Sequence, residues 1–493
     1  MQQPLKILFV SSEVAPFAKT GGLADVSAAL PKVLKDMDHD VRIVMPKYGS
    51  INERRYTLRE VIRLKEISVS VGGKAVHANV KSSFLPESKV QAYFVGSNEY
   101  FNRPGFYVDP RTNKDYPDNA ERFSFFSRSA LEILKKLHWQ PDIIHCNDWQ
   151  TALIPYFIQK LYKENSFFVG TKTLLTIHNV AFQGIFDQKA LPLVYVTKDE
   201  FTSNCAFHFW GKVNFLKAGI LYADLLNTVS KTYAKEIQSS DEFGFGLQTV
   251  LKKRSRDLFG ILNGIDEQQW DPETDKFIPV QYSKSDPSGK MDNKRILVES
   301  QGLVFQPEVP LIGMVSRLSD QKGLDIISGA LDKILKLDVQ MIVLGMGEKK
   351  YHEYLQKFAR KHPKKLTVNL SYDNELAHLI EAGADLFLMP SRYEPCGLTQ
   401  LYSLKYGTIP IVFETGGLAD TVKHFSPDTP RGYGFVFNEY TAENLIKTIE
   451  SAIDVFQDKE TWKKIMNRAM KLDFSWYKAA EKYVDLYYRL KKK

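Results

Sequence analysis

The chain has 493 residues, of which 44% are hydrophobic and 25% charged, as in an ordinary globular protein. Its net charge of +8 is scattered rather than gathered into a basic stripe, and no nucleic-acid-binding motif is present. No run approaches the ~18 apolar residues of a membrane-spanning helix, and the three widely spaced cysteines match neither a disulfide framework nor a metal site. We therefore expect a cytoplasmic protein with no nucleic-acid or membrane partner.

The first half of the chain alternates short apolar strands with amphipathic helices. Two stretches interrupt this alternation: residues 57–95 carry the short runs of antiparallel strands, and residues 98–118 are typical of a long surface loop that could cover a ligand. The periodicity predicts strands at 6–11, 40–46, 142–146, 173–177 and 225–229, and helices at 23–37, 119–137 and 151–162.

Glycine and proline break the periodicity at residues 259–275, which predicts a linker. The following strands are continuous apolar runs, which are typical of parallel strands buried on both faces. The sequence therefore predicts an α/β fold of two doubly wound, Rossmann-like domains, with an active site in the cleft between them. Strands of the second domain are predicted at 311–315, 340–344, 366–370, 385–389, 408–413 and 434–437.

One hexapeptide, Thr-Gly-Gly-Leu-Ala-Asp, occurs twice, at residues 20–25 and 415–420. Each copy follows an apolar run and opens an amphipathic segment, which predicts a strand, a glycine turn and a helix in both places. Paired glycines let the backbone approach a ligand, and N–H groups at a helix start can bind anions. A turn that serves packing alone would look the same for one copy, but two copies favour two similar half-sites facing one ligand.

Two groups of polar residues follow strand ends in the second half. Arg317 and Lys322 bracket a turn, across which two cations can converge on one anion such as a diphosphate, although solvated surface cations would look alike. Glu394 precedes a proline and is held extended, and residues 397–399 begin a helix with N–H groups available to phosphate oxygens. We interpret Cys396 as a packed thiol that lines the site.

Polar residues also follow two strands of the first half. His178 and Asn179 end one strand, and Asp148 stands beside Trp149 at the end of another. The same pattern would arise if His178 and Trp149 packed in the core and Asp148 capped a helix. From these residues alone, a structural role and a functional role are therefore equally good interpretations.

Six segments together resemble bacterial glycogen synthase and plant starch synthase. They are KTGGLADV at 19–26, HNxxxQG at 178–184, LNGID at 262–266, SRLxxQKG at 316–323, SRYEPCGLTQ at 391–400 and TGGLAD at 415–420. The resemblance covers nearly the whole chain, and a chain that begins at its first strand fits the bacterial type better. It implies the two-domain GT-B architecture, with an acceptor-side domain over 1–260, a nucleotide-sugar domain over 261–474 and a helix over 475–493 that packs back on the first domain.

The resemblance implies transfer of glucose from ADP-glucose to the non-reducing 4-hydroxyl of an α-1,4-glucan, with retention of configuration and without a metal or other cofactor. The main alternative is a related GT-B glucosyltransferase that uses UDP-glucose or a different acceptor. A glucan phosphorylase carrying pyridoxal phosphate and a glycan-binding protein without catalysis are further alternatives.

The resemblance also implies site residues. Lys19, Arg317 and Lys322 would lie at the diphosphate, and Tyr372 would stack on the nucleotide base. The implied catalytic residues are His178, Glu394, Arg317, Lys322 and Asp148. The implied substrate-binding residues are Lys19, Gly21, Gly22, Asp25, Asn179, Asn263, Tyr372, Cys396, Gly397, Leu398, Thr399, Thr415, Gly416 and Gly417.

The chain departs from the family pattern at two positions. Asn147 replaces a frequent histidine, which puts one polar contact in doubt, and Phe101 replaces a frequent tyrosine, so a hydroxyl contact from the 98–118 loop should be missing.

Overall fold

The computed structural model describes residues 3–493, which form two compact α/β units. Unit 1 comprises the described residues up to Val229, together with Ala234–Ile261 and Trp476–Lys493. Unit 2 comprises Ser230–Tyr233 and Leu262–Ser475. The domain limits and the active-site cleft expected from the sequence stay predictions. None of the helices within residues 3–493 is both long and apolar enough to cross a membrane.

Unit 1 contains a large sheet flanked by helices. Its strands in chain order are β1 (Lys6–Val10), β2 (Asp40–Pro46), β3 (Arg59–Glu60), β4 (Ile67–Val71), β5 (Lys74–Phe84), β6 (Gln91–Gly96), β7 (Val108–Asp109), β8 (Lys114–Asp115), β9 (Ile143–Asn147), β10 (Lys172–Ile177), β11 (Ile185–Phe186), β12 (His208–Phe209), β13 (Lys212–Asn214), β14 (Leu225–Thr228) and β15 (Leu258–Gly260). Its helices before the linker are α1 (Gly22–Asp36), α2 (Asn119–Leu137), α3 (Leu153–Lys160), α4 (Phe215–Tyr222), α5 (Lys231–Glu236), which begins in unit 2, α6 (Asp241–Gly244) and α7 (Gln248–Lys253).

The main sheet of unit 1 has the strand order β15-β14-β10-β9-β1-β2-β6-β5-β3, with β4 beside β5. All neighbours from β15 to β6 are parallel. The residues Ile7–Val10 of β1 are at most 1% exposed, because helices cover both faces of a parallel sheet. Parallel pairing brings the carboxyl ends of these strands to one edge, where ligands bind in such folds.

Three details of unit 1 differ from the sequence prediction. The antiparallel prediction for residues 57–95 is confirmed for the pairs β3–β5, β4–β5 and β5–β6, but β6 also lies parallel to β2, which joins this stretch to the main sheet. The predicted linker also starts too early, because β15 pairs with β14 and belongs to the sheet. The small antiparallel sheet β11-β13-β12 was not predicted, since strands of two or three residues are too short to show a period.

Unit 2 has a fully parallel sheet in the order β18-β17-β16-β19-β20-β21. Its core includes Ile312, Met341 and Leu388, which are at most 1% exposed. The elements are α8 (Gly289–Ser300), β16 (Leu311–Val315), α9 (Leu324–Ile334), β17 (Gln340–Leu344), α10 (Lys349–Lys361), β18 (Leu366–Asn369), α11 (Asn374–Gly383), β19 (Leu386–Met389), α12 (Thr399–Lys405), β20 (Ile409–Phe413), α13 (Gly416–Thr421), β21 (Phe435–Phe437), α14 (Ala442–Gln457) and α15 (Lys459–Ala469).

The last helix, α16 (Trp476–Lys492), follows unit 2 in sequence and packs within unit 1. It supplies partners to polar groups inside the sheet. Tyr487 Oη lies 2.8 Å from Nδ1 of His145, and Tyr483 Oη accepts a hydrogen bond of 2.9 Å from Asn227. Because His145 and Asn227 are fully buried, these contacts avoid the cost of leaving Nδ1 of His145 and the amide nitrogen of Asn227 unsatisfied in the core.

We predict that Tyr487→Phe lowers the free energy of unfolding by about 1–3 kcal/mol, because Nδ1 of buried His145 loses its partner. Tyr477→Phe is the matched control on the same helix, since Tyr477 is 53% exposed and should tolerate the change. Urea denaturation followed by circular dichroism measures both variants, and equal stabilities would contradict this role of α16.

Candidate functional site

Three neighbouring strands of unit 1 carry polar residues just beyond their carboxyl ends. Glu13 follows β1, Asp148 follows β9 and His178 follows β10. Because β1, β9 and β10 are consecutive parallel strands in the sheet, these residues share one edge. The structure therefore brings together the predicted residues Asp148 and His178, and it adds Glu13, which the sequence analysis missed.

Asp148 holds the chain that follows β10. One of its carboxylate oxygens accepts a hydrogen bond of 2.7 Å from the backbone N–H of His178, and the backbone N–H of Asn179 also donates to this carboxylate. Burial raises the pKa of Asp148 to about 7, although the two N–H donors act in the opposite direction. The positive φ of 56° at Asp148 is a conformation that aspartate tolerates better than most residues. The side chain of Asn179 accepts a bond from the N–H of Ala181 and so shapes the turn.

Asn147 orients the imidazole of His178. Its amide nitrogen donates to the carbonyl of Val10 at 3.0 Å, so its oxygen faces Nε2 of His178 at 2.9 Å. An amide oxygen can only accept, so Nε2 carries the proton and Nδ1 keeps a lone pair. Burial lowers the pKa of His178 to about 3, which keeps the ring neutral. The departure at Asn147 thus provides a polar contact instead of losing one.

Glu13 joins two loops of unit 1 through a buried carboxylate. It is 4% exposed, and it accepts hydrogen bonds from the N–H of Thr20 at 2.5 Å, the hydroxyl of Thr20 at 2.7 Å and the hydroxyl of Tyr107 at 2.7 Å. Thr20 belongs to the first hexapeptide and Tyr107 to the 98–118 loop. Three donors satisfy the carboxylate. Its position just after the first strand was the sequence signal that could have identified it.

The 98–118 loop is anchored by aromatic packing. Phe101 is fully buried, and its ring centroid lies 5.8 Å from that of Tyr48, so this position belongs to the core. A hydroxyl contact from the loop is nevertheless present, because Tyr107 bonds both Glu13 and Ser12. The expectation of a missing hydroxyl therefore holds for position 101 only.

The two copies of the hexapeptide differ in structure. In the first copy, Gly21 is extended, with φ of −158°, and Gly21 and Gly22 are exposed. In the second copy, Gly416 has φ of 44° and is buried. Each copy begins a helix as predicted, but the surroundings impose different backbone conformations on the same residues, so the two turns are not alike.

The second copy uses its glycine for close packing. A Cβ atom on Gly417 would lie 1.9 Å from the carbonyl oxygen of Cys396, so no other residue fits there. The N–H of Gly417 donates to the carbonyl of Glu394 at 2.9 Å, and that of Thr415 donates to Phe413 at 2.9 Å. These two N–H groups, which we expected to face a ligand, are therefore engaged within the protein.

Lys19 and Asp25 flank the first copy and form an ion pair of 2.7 Å, with exposed side-chain fractions of 49% and 29%. An exposed pair of this kind stabilises the fold little, so both charges remain accessible to a ligand.

In unit 2 the structure brings Lys322 and Glu394 together. Nζ of Lys322 lies 2.5 Å from Oε2 of Glu394, which also accepts a bond of 3.1 Å from the hydroxyl of Ser391. Both side chains are largely buried, at 18% and 9% exposure. Arg317 is exposed and makes only a long contact of 3.4 Å to Gln321. The structure thus pairs Lys322 with an acid, a contact that the spacing of the two cations did not indicate.

The remaining predicted residues of unit 2 lie in the segments that follow β15, β18 and β19. Burial raises the pKa of the Cys396 thiol to about 12, so it packs as a neutral group, and the backbone N–H of Asn263 donates to it. The side-chain oxygen of Asn263 is buried without a hydrogen-bond partner among the described residues. Tyr372 is 89% exposed. Residues Gly397, Leu398 and Thr399 lead into α12.

Within residues 3–493, no group of three or more His, Cys, Asp or Glu side chains is arranged to hold a metal ion.

Comparisons with known proteins identify the family of the chain. The profile of the starch synthase catalytic domain family matches residues 6–253, and that of the glycosyl transferases group 1 family matches residues 298–470. A glycogen synthase from Geotalea daltonii is 45% identical over 483 residues, and one from Thermotoga maritima is 44% identical over 488 residues. Each alignment covers 98% of both chains.

A solved structure gives the same result for the fold. The catalytic domain of starch synthase IV from Arabidopsis thaliana, bound to ADP and acarbose, superimposes with a TM-score of 0.90 at 33% identity and covers 100% of both chains. The protein described here therefore belongs to the family of bacterial glycogen synthases and plant starch synthases, and it is a hexosyltransferase with the GT-B fold.

Proposed function

We propose that this chain acts in glycogen biosynthesis, transferring glucose from ADP-glucose to the non-reducing 4-hydroxyl of an α-1,4-glucan with retention of configuration. The observation that carries the proposal is the similarity to glycogen synthases over 98% of both chains. The ADP bound to the plant starch synthase supports the choice of nucleotide. The cysteines are unpaired, as is usual in a reducing compartment, which supports a cytoplasmic location.

Lys322 and Glu394 support the proposed role of unit 2 in holding the donor. The ammonium of Lys322 lies against the carboxylate of Glu394, and a diphosphate would compete for it because both ligands are anions. Movement of the ammonium to the diphosphate would release Glu394 to accept bonds from glucose hydroxyls. Exposed Arg317 would supply a second cation as negative charge develops on the leaving group.

Exposed Tyr372 would stack on the nucleotide base. The remainder of the sugar-nucleotide site would be lined by Cys396, residues 397–399 and Gly416. The buried side-chain oxygen of Asn263 would accept a hydrogen bond from the bound sugar nucleotide. Since a tyrosine stacks on adenine and uracil alike, a related transferase that uses UDP-glucose remains the second candidate.

In unit 1, His178 and Asp148 support a role at the transferred sugar. Neutral His178 presents the lone pair of Nδ1, which can accept a bond from a sugar hydroxyl. Asp148 fixes the backbone of His178 and Asn179 and so fixes the position of that ring. Lys19 would add positive charge at the diphosphate, and Asp25 would restrain it through their ion pair.

The proposed reaction is a front-face displacement. The bond from the anomeric carbon to the diphosphate oxygen breaks while the bond to the acceptor 4-oxygen forms on the same face, which retains the configuration. The proton of the acceptor hydroxyl passes to the departing diphosphate. The protein residues neutralise the diphosphate and orient both sugars, which lowers the barrier without covalent participation.

We expect purified protein to incorporate glucose into glycogen from ADP-glucose at a higher kcat/KM than from UDP-glucose. Radiolabelled donors with glycogen, maltotriose and free glucose as acceptors measure this preference. Faster transfer from UDP-glucose would contradict the proposed donor, and transfer to free glucose alone would contradict the proposed acceptor.

We expect Lys322→Ala and Arg317→Ala each to lower kcat by about 10²–10³-fold, because each removes a cation from the charge that develops on the diphosphate. Lys350→Ala is the matched control. Lys350 is 56% exposed and forms an ion pair with Asp320, which lies between Arg317 and Lys322 in sequence. Circular dichroism would verify that the variants are folded. Near-normal turnover in both variants would refute the diphosphate assignment.

We expect the stability of the wild type, relative to Asp148→Asn, to decrease as the pH rises from about 4 to about 7. The folded-state pKa of Asp148 is raised to about 7 from a usual value of 3.8, so folding favours the protonated form, and that advantage is lost as the pH rises through the folded pKa. Urea denaturation at several pH values measures the difference. Parallel stability curves for the two proteins would show that the pKa of Asp148 is not raised.

A further inference from the structure

The hairpin between β12 and β13 carries an unusual residue in its turn. Phe209 pairs with Lys212, so Trp210 and Gly211 form a two-residue loop, with φ angles of 48° and 78°. Loops with two positive φ angles favour Asn-Gly or Gly-Gly, because a bulky side chain in the left-handed region is strained. Trp210 therefore adopts a backbone conformation that is unfavourable for a bulky residue. Strain of this kind tends to be kept where the side chain has a function.

The ring of Trp210 is also exposed although it is held in place. It is 76% exposed, so it contributes little to the core. A Cβ atom on Gly246 would lie 2.5 Å from Cη2 of Trp210 and 2.8 Å from Cζ of Phe209, so the glycine makes room for both rings. The centroids of these two rings are 4.4 Å apart at an angle of 42°. The tryptophan is thus a fixed aromatic surface that faces solvent.

A backbone hydrogen bond and a side-chain hydrogen bond connect the surroundings of this hairpin with the candidate site of unit 1. The N–H of Phe182 donates to the carbonyl of Asn179 at 3.2 Å, and Phe182 is 57% exposed. Gln183 then donates to the carbonyl of Phe245 at 2.9 Å, immediately before the glycine that contacts Trp210. Two exposed aromatic residues, Phe182 and Trp210, therefore lie on segments that hydrogen bonds connect to Asn179.

The chemistry of this surface suits an uncharged sugar. The hairpin's own cation, Lys212, is paired with Asp187 at 3.6 Å, so its charge is balanced by a partner. An exposed aromatic face packs against the apolar C–H groups of a pyranose ring, while the sugar hydroxyls stay in water. A glucan is long enough to contact such a surface and a reaction site at once, which raises the effective concentration of chain ends.

We propose that Trp210 forms a glucan-binding platform, separate from the residues that hold the reacting groups, which retains long α-1,4-glucans on unit 1. The inference rests on the proposed function, since the glucan is the acceptor of that reaction. It concerns only long acceptors, because a maltotriose occupying the reaction site has no further residues to reach the platform.

Trp210→Asn is the informative substitution, because asparagine suits the left-handed turn and should leave the melting temperature unchanged. We expect the KM for glycogen to rise about three- to tenfold, while kcat and the KM for maltotriose stay unchanged. Trp210→Phe should keep most of the glycogen affinity. Phe84→Ala, which removes a ring that is 62% exposed on β5, is the matched control and should change neither KM.

Affinity electrophoresis in gels containing glycogen, without donor, provides a reading independent of catalysis. Weaker retention of Trp210→Asn supports the platform, and unchanged retention with an unchanged KM for glycogen overturns it.

If light scattering shows that the wild type is a dimer and Trp210→Asn a monomer with unaltered glycogen affinity, the surface binds a second copy and the proposal is wrong. Absence of transfer to either acceptor by the wild type would refute the proposed function instead, and electrophoresis would still test the platform.

Discussion

Parallel hydrogen bonding between strands is the constraint on which the candidate site depends. In unit 1, His145 of β9 lies beside Phe9 of β1 and Leu174 of β10, so the three strands run in register toward one edge. Asp148 and His178 therefore meet although 30 residues separate them. The ladder also explains why the strands are continuous apolar runs, since helices cover both faces of the sheet and leave only its carboxyl edge for polar chemistry.

Three buried carboxylates are satisfied in three different ways at these edges. Glu13 accepts three neutral donors and joins two loops, Asp148 accepts two backbone N–H groups, and Glu394 pairs with Lys322. Burial without a cation raises the pKa of Asp148, whereas the carboxylate of Glu394 lies against the ammonium of Lys322. The first two carboxylates therefore position backbone and loops, and the third forms an ion pair within unit 2.

The repeated hexapeptide shows how far identical residues can diverge in structure. The glycines of the first copy are exposed at the start of α1, whereas those of the second are buried against residues 394–396. Local sequence specified a helix start in both places, because glycine permits either backbone conformation. The neighbouring segments decided which conformation was adopted, and they also accept hydrogen bonds from the N–H of Thr20 in the first copy and of Gly417 in the second.

The residue pattern alone predicted two α/β domains, since apolar runs of strand length alternate with amphipathic helices over most of the chain, and the limits of β2, β16 and β17 were predicted to the residue. It also indicated that functional residues follow strand ends. Which of these residues meet depends on the three-dimensional fold, because Lys322 contacts Glu394, 72 residues away in sequence, and Glu13 contacts Tyr107, 94 residues away. Periodicity reports burial along one segment, whereas such contacts depend on how distant segments are placed by strand order, and that order is a property of the folded chain.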